Sequence, residues 1–144
     1  MKKRALLAMA KMLLSDLGCN EADLSILITD DKEIRRLNKR YRGKNKATDV
    51  LSFPLSLPGG VGRPFVLGDV VISLDTTRIQ AKDQHVSVSE EFLRLLIHGV
   101  LHLLGFDHEN VPRGEAERMR RKERILFRKL SQGKGNSVRL RGRA

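Results

Sequence analysis

The segment that most constrains the fold lies between residues 87 and 108, where a strongly apolar run carries three histidines. Ser87 and Glu90 have the spacing of a capping box, which predicts a helix that begins here and continues to about Leu104. Gly105 is the expected left-handed terminator. Because this helix is apolar nearly all round, an unpartnered imidazole on it would cost free energy, and the histidines need a partner.

The histidines are spaced so that three of them can reach one ion. His98 and His102 lie one helical turn apart on the same face. Gly105 lets the chain reverse, so that His108 can return as a third ligand. The ordinary alternative is a pair of hydrogen-bonded core histidines. Three of the four histidines fall within eleven residues, and this clustering favours a metal site.

The donor set favours a catalytic zinc. Three neutral imidazoles suit this ion and leave one tetrahedral position for water. A structural zinc would need a fourth protein ligand, for which the candidates are Asp107, beside a ligand, and the distant Cys19. We therefore expect one zinc ion per chain, bound by His98, His102 and His108, in a hydrolase.

The class of hydrolase depends on the residue after the first histidine. The histidine spacing is that of the metzincin proteases, in which a glutamate at this position is the general base. Here the residue is Gly99, which disfavours peptide hydrolysis. Zinc lowers the pKa of a bound water to about 7, and such a water can attack a phosphodiester. No general base stands out, so attack by metal hydroxide and attack by a ribose 2′-hydroxyl both stay open.

The remaining patterns predict one α/β (α+β) domain over residues 1–131 with one small sheet. An N-terminal helix is followed by a strand in which apolar residues alternate with others, at Leu24, Ile26 and Ile28. The loops between elements are rich in glycine, proline or charge. Further helices are expected at about 31–40, 76–84 and 114–130, and Asp75 is expected to cap the helix at 76–84. Further strands are expected at 50–53 and 68–74. Loops are expected at 41–46 and 54–64.

The net charge of +11 is unevenly distributed. Residues 113–144 carry twelve Lys or Arg against three Glu, whereas residues 1–112 carry a net charge of only +2. This asymmetry favours a polyanionic partner such as nucleic acid, and a solvated helix face with a basic tail explains it equally well. Residues 132–144 contain no acid and are expected to be a disordered tail.

The N-terminal residues indicate a cytoplasmic protein rather than a secreted one. The apolar run that follows Lys2, Lys3 and Arg4 is interrupted by Lys11 and followed by Asp16, so it fits an amphipathic helix and not a signal peptide. The only cysteine, Cys19, cannot form an internal disulfide, as is usual in a reducing compartment. No apolar run reaches membrane-spanning length, and no membrane partner is expected.

Four segments, taken in order, resemble the YbeY family. They are Tyr41-Arg42-Gly43-Lys44, the sequence TDVLSFP at 48–54, the sequence LGDVVI at 67–72, and the histidine segment. The resemblance covers about residues 24–130. Members of this family are bacterial single-strand-specific endoribonucleases that act in ribosomal RNA maturation, at the 3′ end of 16S rRNA, and in ribosome quality control.

The resemblance implies a mixed sheet flanked by about five helices, with the metal site on a helix and the turn after it. It also implies zinc ligands at His98, His102 and His108, and places residues required for activity at Arg42 and His98. The implied partners are single-stranded RNA, ribosomal RNA and the small ribosomal subunit, without a nucleotide cofactor. A metalloprotease-like hydrolase and a non-catalytic zinc-containing module that binds ribosomal RNA are the alternatives.

The residues around the histidines allow supporting roles. Arg42 offers a planar, permanently charged fork for a phosphate group, although the residues without the resemblance favour a surface arginine in a basic loop. Lys44 and Lys46 are candidates for contact with the RNA backbone, although surface charge alone explains them. Asp107 can orient an imidazole by accepting a hydrogen bond from the ring nitrogen that does not bind the metal, although an aspartate beside a turn glycine is more often a turn residue.

Overall fold

The computed structural model describes residues 2–55, 65–106 and 112–132. In this part of the chain, five helices surround a three-stranded sheet, in the order α1 (Lys3–Asp16), β1 (Ala22–Thr29), α2 (Asp31–Arg42), β2 (Val50–Pro54), β3 (Phe65–Ser73), α3 (Leu74–Gln84), α4 (Val88–Leu103) and α5 (Arg113–Gln132). The sheet has the order β1-β3-β2. Since β3 runs parallel to β1 and antiparallel to β2, the predicted α+β fold with a mixed sheet is confirmed.

The middle strand, β3, has the apolar composition of a strand that is covered on both faces. Val70, Val71 and Ile72 are all buried, as their uninterrupted apolar run predicts. Val70 and Ile72 belong to the main core, whereas Val71 packs with Ile34 of α2 on the other face of the sheet. The sheet therefore separates α2 from the remaining core.

Helix α4 is the central element of the main core, and its apolar residues contact the sheet, α3 and α5. It begins at the predicted capping box, in which the Ser87 side chain accepts a hydrogen bond from Glu90 N and the Glu90 side chain accepts one from Ser87 N. Gly105 follows the helix at φ 97°, so the predicted left-handed terminator is also confirmed.

Glycine is required at position 99 because α4 lies directly against the sheet there. A Cβ atom at Gly99 would lie 2.8 Å from Val70 Cγ1 and 3.3 Å from Ser52 Oγ. The same close approach lets Ser52 Oγ donate a buried hydrogen bond of 2.9 Å to the Gly99 carbonyl oxygen. Position 99 thus fixes the separation between α4 and strands β2 and β3.

Three predicted boundaries were wrong. Helix α3 is capped by Ser73 and not by the predicted Asp75, and the Ser73 hydroxyl accepts a hydrogen bond from Thr76 N. The Asp75 carboxylate accepts a hydrogen bond of 3.0 Å from Asp31 N of α2 instead. Tyr41 and Arg42 belong to the last turn of α2, since the helix continues until Gly43 adopts φ 70°. Strand β3 begins earlier than expected, at residue 65 rather than 68.

Helix α5 packs through one apolar face, as its sequence predicts. Met119, Leu126 and Leu130 are buried in the main core. Lys129 Nζ lies 3.2 Å from Asp16 Oδ1, between α5 and α1. Among the described residues, no helix combines the length and the apolar composition needed to cross a membrane. Residues 56–64 of the loop predicted at 54–64 lie outside the described residues, and so do residues 133–144 of the tail predicted at 132–144. The domain boundary at 131 therefore stays a prediction.

Candidate active site

A cleft of about 1480 Å³ lies between the end of α2, strand β2 and helices α3, α4 and α5. Its described lining includes seven basic side chains but only three acidic ones. All three acids, Asp49, Glu91 and Glu123, contact other protein side chains. The cleft therefore suits a negatively charged ligand.

The two helical histidines converge on one point of this cleft. His98 and His102 both line it, and their Nε2 atoms are 3.1 Å apart. The ring planes meet at 76°, with 4.6 Å between their centroids. Both imidazoles are partly buried. The predicted consequence of the one-turn spacing, two imidazoles on the same side of α4, is what the structure shows.

The other ring nitrogen of His98 contacts a carboxylate that the sequence analysis did not single out. Glu123 Oε2 of α5 lies within hydrogen-bond distance of His98 Nδ1. A carboxylate on Nδ1 fixes the ring so that Nε2 is the nitrogen presented to a ligand. The signal available in the sequence was the position of Glu123, an acid between the core residues Met119 and Leu126 of a basic helix.

The histidine pair fits a zinc ion. Zinc–nitrogen bonds of 2.0–2.1 Å in tetrahedral geometry place two ligand nitrogens roughly 3.3 Å apart. The separation of 3.1 Å between the Nε2 atoms of His98 and His102 is close to this value. Within the described ranges, no group of three potential ligands converges. The predicted third ligand, His108, and the supporting residue Asp107 lie outside these ranges, so the complete ligand set stays a prediction.

Arg42 is held at the cleft by the neighbouring strand. Its Nη2 atom donates a hydrogen bond of 2.7 Å to the Ser52 carbonyl oxygen, and its guanidinium lies 5.8 Å from the centre of the Phe53 ring. Both contacts lie on β2, which Gly99 brings close to α4. The guanidinium therefore lines the same cleft as the histidines.

The loop after Arg42 supplies the two candidate lysines. Lys44 and Lys46 both line the cleft. The carbonyl oxygen of Lys46 accepts a hydrogen bond of 2.9 Å from the buried Asn38 side chain, so the loop is attached to α2. Arg42, Lys44 and Lys46 thus form one basic side of the cleft, although their contacts with RNA stay predictions.

The position that carries the general base in metzincin proteases faces the sheet in this fold. The Cβ direction of Gly99 faces Val70, Ser52 and Val50, which belong to the sheet. A Cβ atom at this position would lie only 2.8 Å from Val70 Cγ1, so a larger side chain would need α4 and the sheet to move apart. The packing therefore disfavours a glutamate at position 99, in agreement with the sequence argument against peptide hydrolysis.

Glu91 is a buried acid in the cleft wall, and sequence analysis missed it. Its side chain is only 2% exposed. Among the described residues its Oε1 atom accepts no hydrogen bond, and Arg94 Nε lies 3.4 Å away. Burial raises the pKa of Glu91; the charge of Arg94 opposes this shift, and that of Asp49 reinforces it.

This shift predicts a pH-dependent effect of Glu91→Gln. Because the folded protein binds the Glu91 proton more tightly than the unfolded chain does, its free energy of unfolding falls as the pH rises from the ordinary glutamate pKa through the raised value. The glutamine variant lacks this loss. Its free energy of unfolding, measured relative to that of the parent, should therefore be higher at pH 7.5 than at pH 4. Urea unfolding at both pH values measures the difference, with Glu115→Gln on α5 as an exposed control. An equal difference at the two pH values would contradict the assignment.

Comparisons with known proteins place similar chains in one family. The model of the family described as Endoribonuclease YbeY matches residues 2–131. The chain is 50% identical over 122 residues to the Endoribonuclease YbeY of Aquifex aeolicus (strain VF5), covering 85% of this chain and 79% of the relative. It is 51% identical over 125 residues to the protein of the same name from Anaeromyxobacter sp. (strain Fw109-5), covering 87% of this chain and 63% of that relative.

A solved structure has the same fold. The solution structure of TM1509 from Thermotoga maritima matches with a TM-score of 0.62 and 26% sequence identity, over 91% of this chain and 85% of the other. The fold and the cleft define a small α+β domain with a histidine pair in a basic cleft. The family model and the relatives show that this chain belongs to the YbeY family of endoribonucleases.

Proposed function

We propose that this chain is a zinc-dependent endoribonuclease that cleaves single-stranded RNA in the cytoplasm, in maturation of the 3′ end of 16S rRNA and in ribosome quality control. The endoribonuclease activity follows from membership of the family. The observation that supports the use of a metal is the separation of 3.1 Å between the Nε2 atoms of His98 and His102 in a basic cleft. In this proposal, ribosomal RNA and the small ribosomal subunit are the partners.

Each proposed residue has a separate role. His98 and His102, together with His108, would hold one zinc ion, and Glu123 would keep the His98 ring in the orientation that exposes Nε2. When bound, zinc supplies a Lewis acid for the phosphoryl group and acidifies water. Arg42 would bind a non-bridging oxygen of the scissile phosphate, where negative charge grows in the transition state. Lys44 and Lys46 would contact the neighbouring RNA backbone.

The test compares two substrates and two metal states. Purified protein is incubated with single-stranded ribosomal RNA and with an unfolded protein, before and after removal of metal by a chelator. We expect cleavage of the RNA alone, loss of cleavage after metal removal, and recovery when zinc is added back. Cleavage of the unfolded protein but not the RNA would instead support a metalloprotease. RNA cleavage that survives metal removal would exclude zinc from the mechanism, and zinc without any cleavage would favour a binding module.

A further inference from the structure

Helix α5 presents a row of arginines to the cleft. Arg120, Arg124 and Arg128 are spaced four residues apart, so they follow one another along the same face of the helix, about 6 Å apart in rise. All three are exposed and all three line the cleft. The buried face of α5 carries other residues, including Met119 and Leu126, so packing does not need these three charges.

The arginine row spans the residue of α5 that contacts His98. Glu123, which contacts His98 Nδ1, lies between Arg120 and Arg124 in the sequence of α5. From this point the lining of the cleft continues along the helix to Arg128 and Ser131. A strand that followed the row would therefore pass directly by His98 and His102.

The contacts of the row leave its charge available to a polyanion. Arg120 Nη2 lies 2.8 Å from Glu117 Oε1, but both side chains are about half exposed, and an exposed pair of this kind contributes little. The pKa of Glu117 is lowered by the hydrogen bond from Arg120 and by the charges of Arg120, Arg124 and Arg121, as expected in a positive potential. A phosphate chain can replace this single carboxylate as the partner of the row.

Arg94 and Phe127 extend the surface for a single strand. The Arg94 guanidinium of α4 lies 5.0 Å from the centre of the Phe127 ring, and both residues line the cleft beside Arg124 and Arg128. Proteins that bind single strands combine a basic groove for the backbone with aromatic or guanidinium faces for the bases. The composition of this wall matches that arrangement.

We infer that Arg120, Arg124 and Arg128 form the track along which α5 binds the phosphate backbone of the single-stranded RNA substrate and leads it to the histidine pair. This inference rests on the proposed function for the identity of the substrate and assigns the binding surface within it. It also assigns to the cleft face of α5 an electrostatic contribution of the basic C-terminal region.

The test is the salt dependence of RNA binding by the full chain. Each neutralised phosphate contributes about 0.7 to the slope of log affinity against log salt for a single strand, so three contacts contribute about 2. The variant Arg120→Gln/Arg124→Gln/Arg128→Gln should bind a labelled 20-nucleotide single-stranded RNA more weakly, with a slope smaller by about 2. The ratio of the variant's Kd to the parent's Kd should therefore decrease ~20-fold between 50 and 200 mM salt.

A matched control removes the same charge elsewhere on α5. The variant Arg113→Gln/Arg121→Gln/Lys122→Gln changes three residues that are not in the described lining of the cleft, and it should keep the parental slope. The variant Arg120→Lys/Arg124→Lys/Arg128→Lys keeps the charge and should keep most of the slope. Urea unfolding and probe integrity are checked for each protein.

The possible results are distinguishable. An unchanged slope in the glutamine variant would overturn the track, and an equal loss in the control would show that only total charge matters. A flatter slope after deletion of residues 133–144, with the glutamine variant unchanged, would place the contacts in the tail. If the parent binds RNA with the expected slope but never cleaves it, the proposed function fails and the track does not.

Discussion

Replacing His102 with alanine should reduce the zinc content from about one ion per chain to nearly none and abolish RNA cleavage. The Nε2 atom of His102 lies 3.1 Å from that of His98, so the substitution removes half of the converging pair that the structure describes. Removing a ligand leaves His98 and the predicted ligand His108, which together cannot complete a tetrahedral site. Metal analysis of the purified variant, alongside its cleavage of single-stranded RNA, measures both effects.

The fourth histidine provides a matched control for this experiment. His85 is exposed and ends α3 in a left-handed conformation, with φ 58°. His85→Asn removes one imidazole and keeps a residue that tolerates this conformation, so zinc content and cleavage should both be retained. Full zinc occupancy in the His102→Ala protein would show that the helical pair is not part of the ligand set.

Replacing Arg42 should lower the cleavage rate without changing zinc content. The guanidinium is attached to β2 through the Ser52 carbonyl oxygen, and its fork has further donors that can face the cleft. Loss of one preorganised donor to the transition state typically lowers kcat by about 10²–10³-fold. We expect a loss of this size at saturating RNA in Arg42→Ala, measured with the zinc content of the same preparation.

The conservative variant distinguishes geometry from charge. Arg42→Lys keeps the positive charge but loses the planar fork, so it should bind RNA nearly as well as the parent while its kcat stays reduced. Arg36→Ala on the same helix is the control, because Arg36 pairs with Glu33 at an exposed position outside the described cleft lining. Parental kcat in Arg42→Ala would exclude the guanidinium from the transition state.

The two basic sides of the cleft have different expected effects. In the proposed function Arg42 binds the scissile phosphate, so its replacement should change the rate. In the inferred track Arg120, Arg124 and Arg128 bind the flanking backbone, so their replacement should change the Kd and its salt dependence. A variant that combined the two sets should therefore show both losses, nearly independently, since the effects of separate sites usually add.

Local spacing was sufficient for the elements that depend on neighbouring residues. The capping box at Ser87, the terminator at Gly105 and the one-turn separation of His98 and His102 follow from the period of a helix and from short-range hydrogen bonds. The burial of Val70 to Ile72 followed from their uninterrupted apolar run, which is typical of a strand that is covered on both faces. These features need no knowledge of which elements become neighbours.

Competition between nearby groups was harder to predict. Asp75 and Ser73 are both reasonable caps for α3, and the choice depends on Asp31 N, which lies 44 residues away in sequence and takes the Asp75 carboxylate. Likewise, the position of Arg42 on the last turn of α2 depends on where Gly43 ends the helix. The cap of α3 and the end of α2 each depend on small differences in free energy, and tertiary contacts decide these differences.

The sequence by itself determined the histidine pair, the helix that carries it and the absence of a general base at Gly99. Only the tertiary structure brought Glu123 to His98 across 25 residues, placed Arg42 against β2, and turned one face of α5 toward the cleft. The physical reason is the range of the interactions. A helical period is fixed by bonds between residues three or four apart, whereas the partner of an imidazole or an arginine is fixed by how whole helices and strands pack.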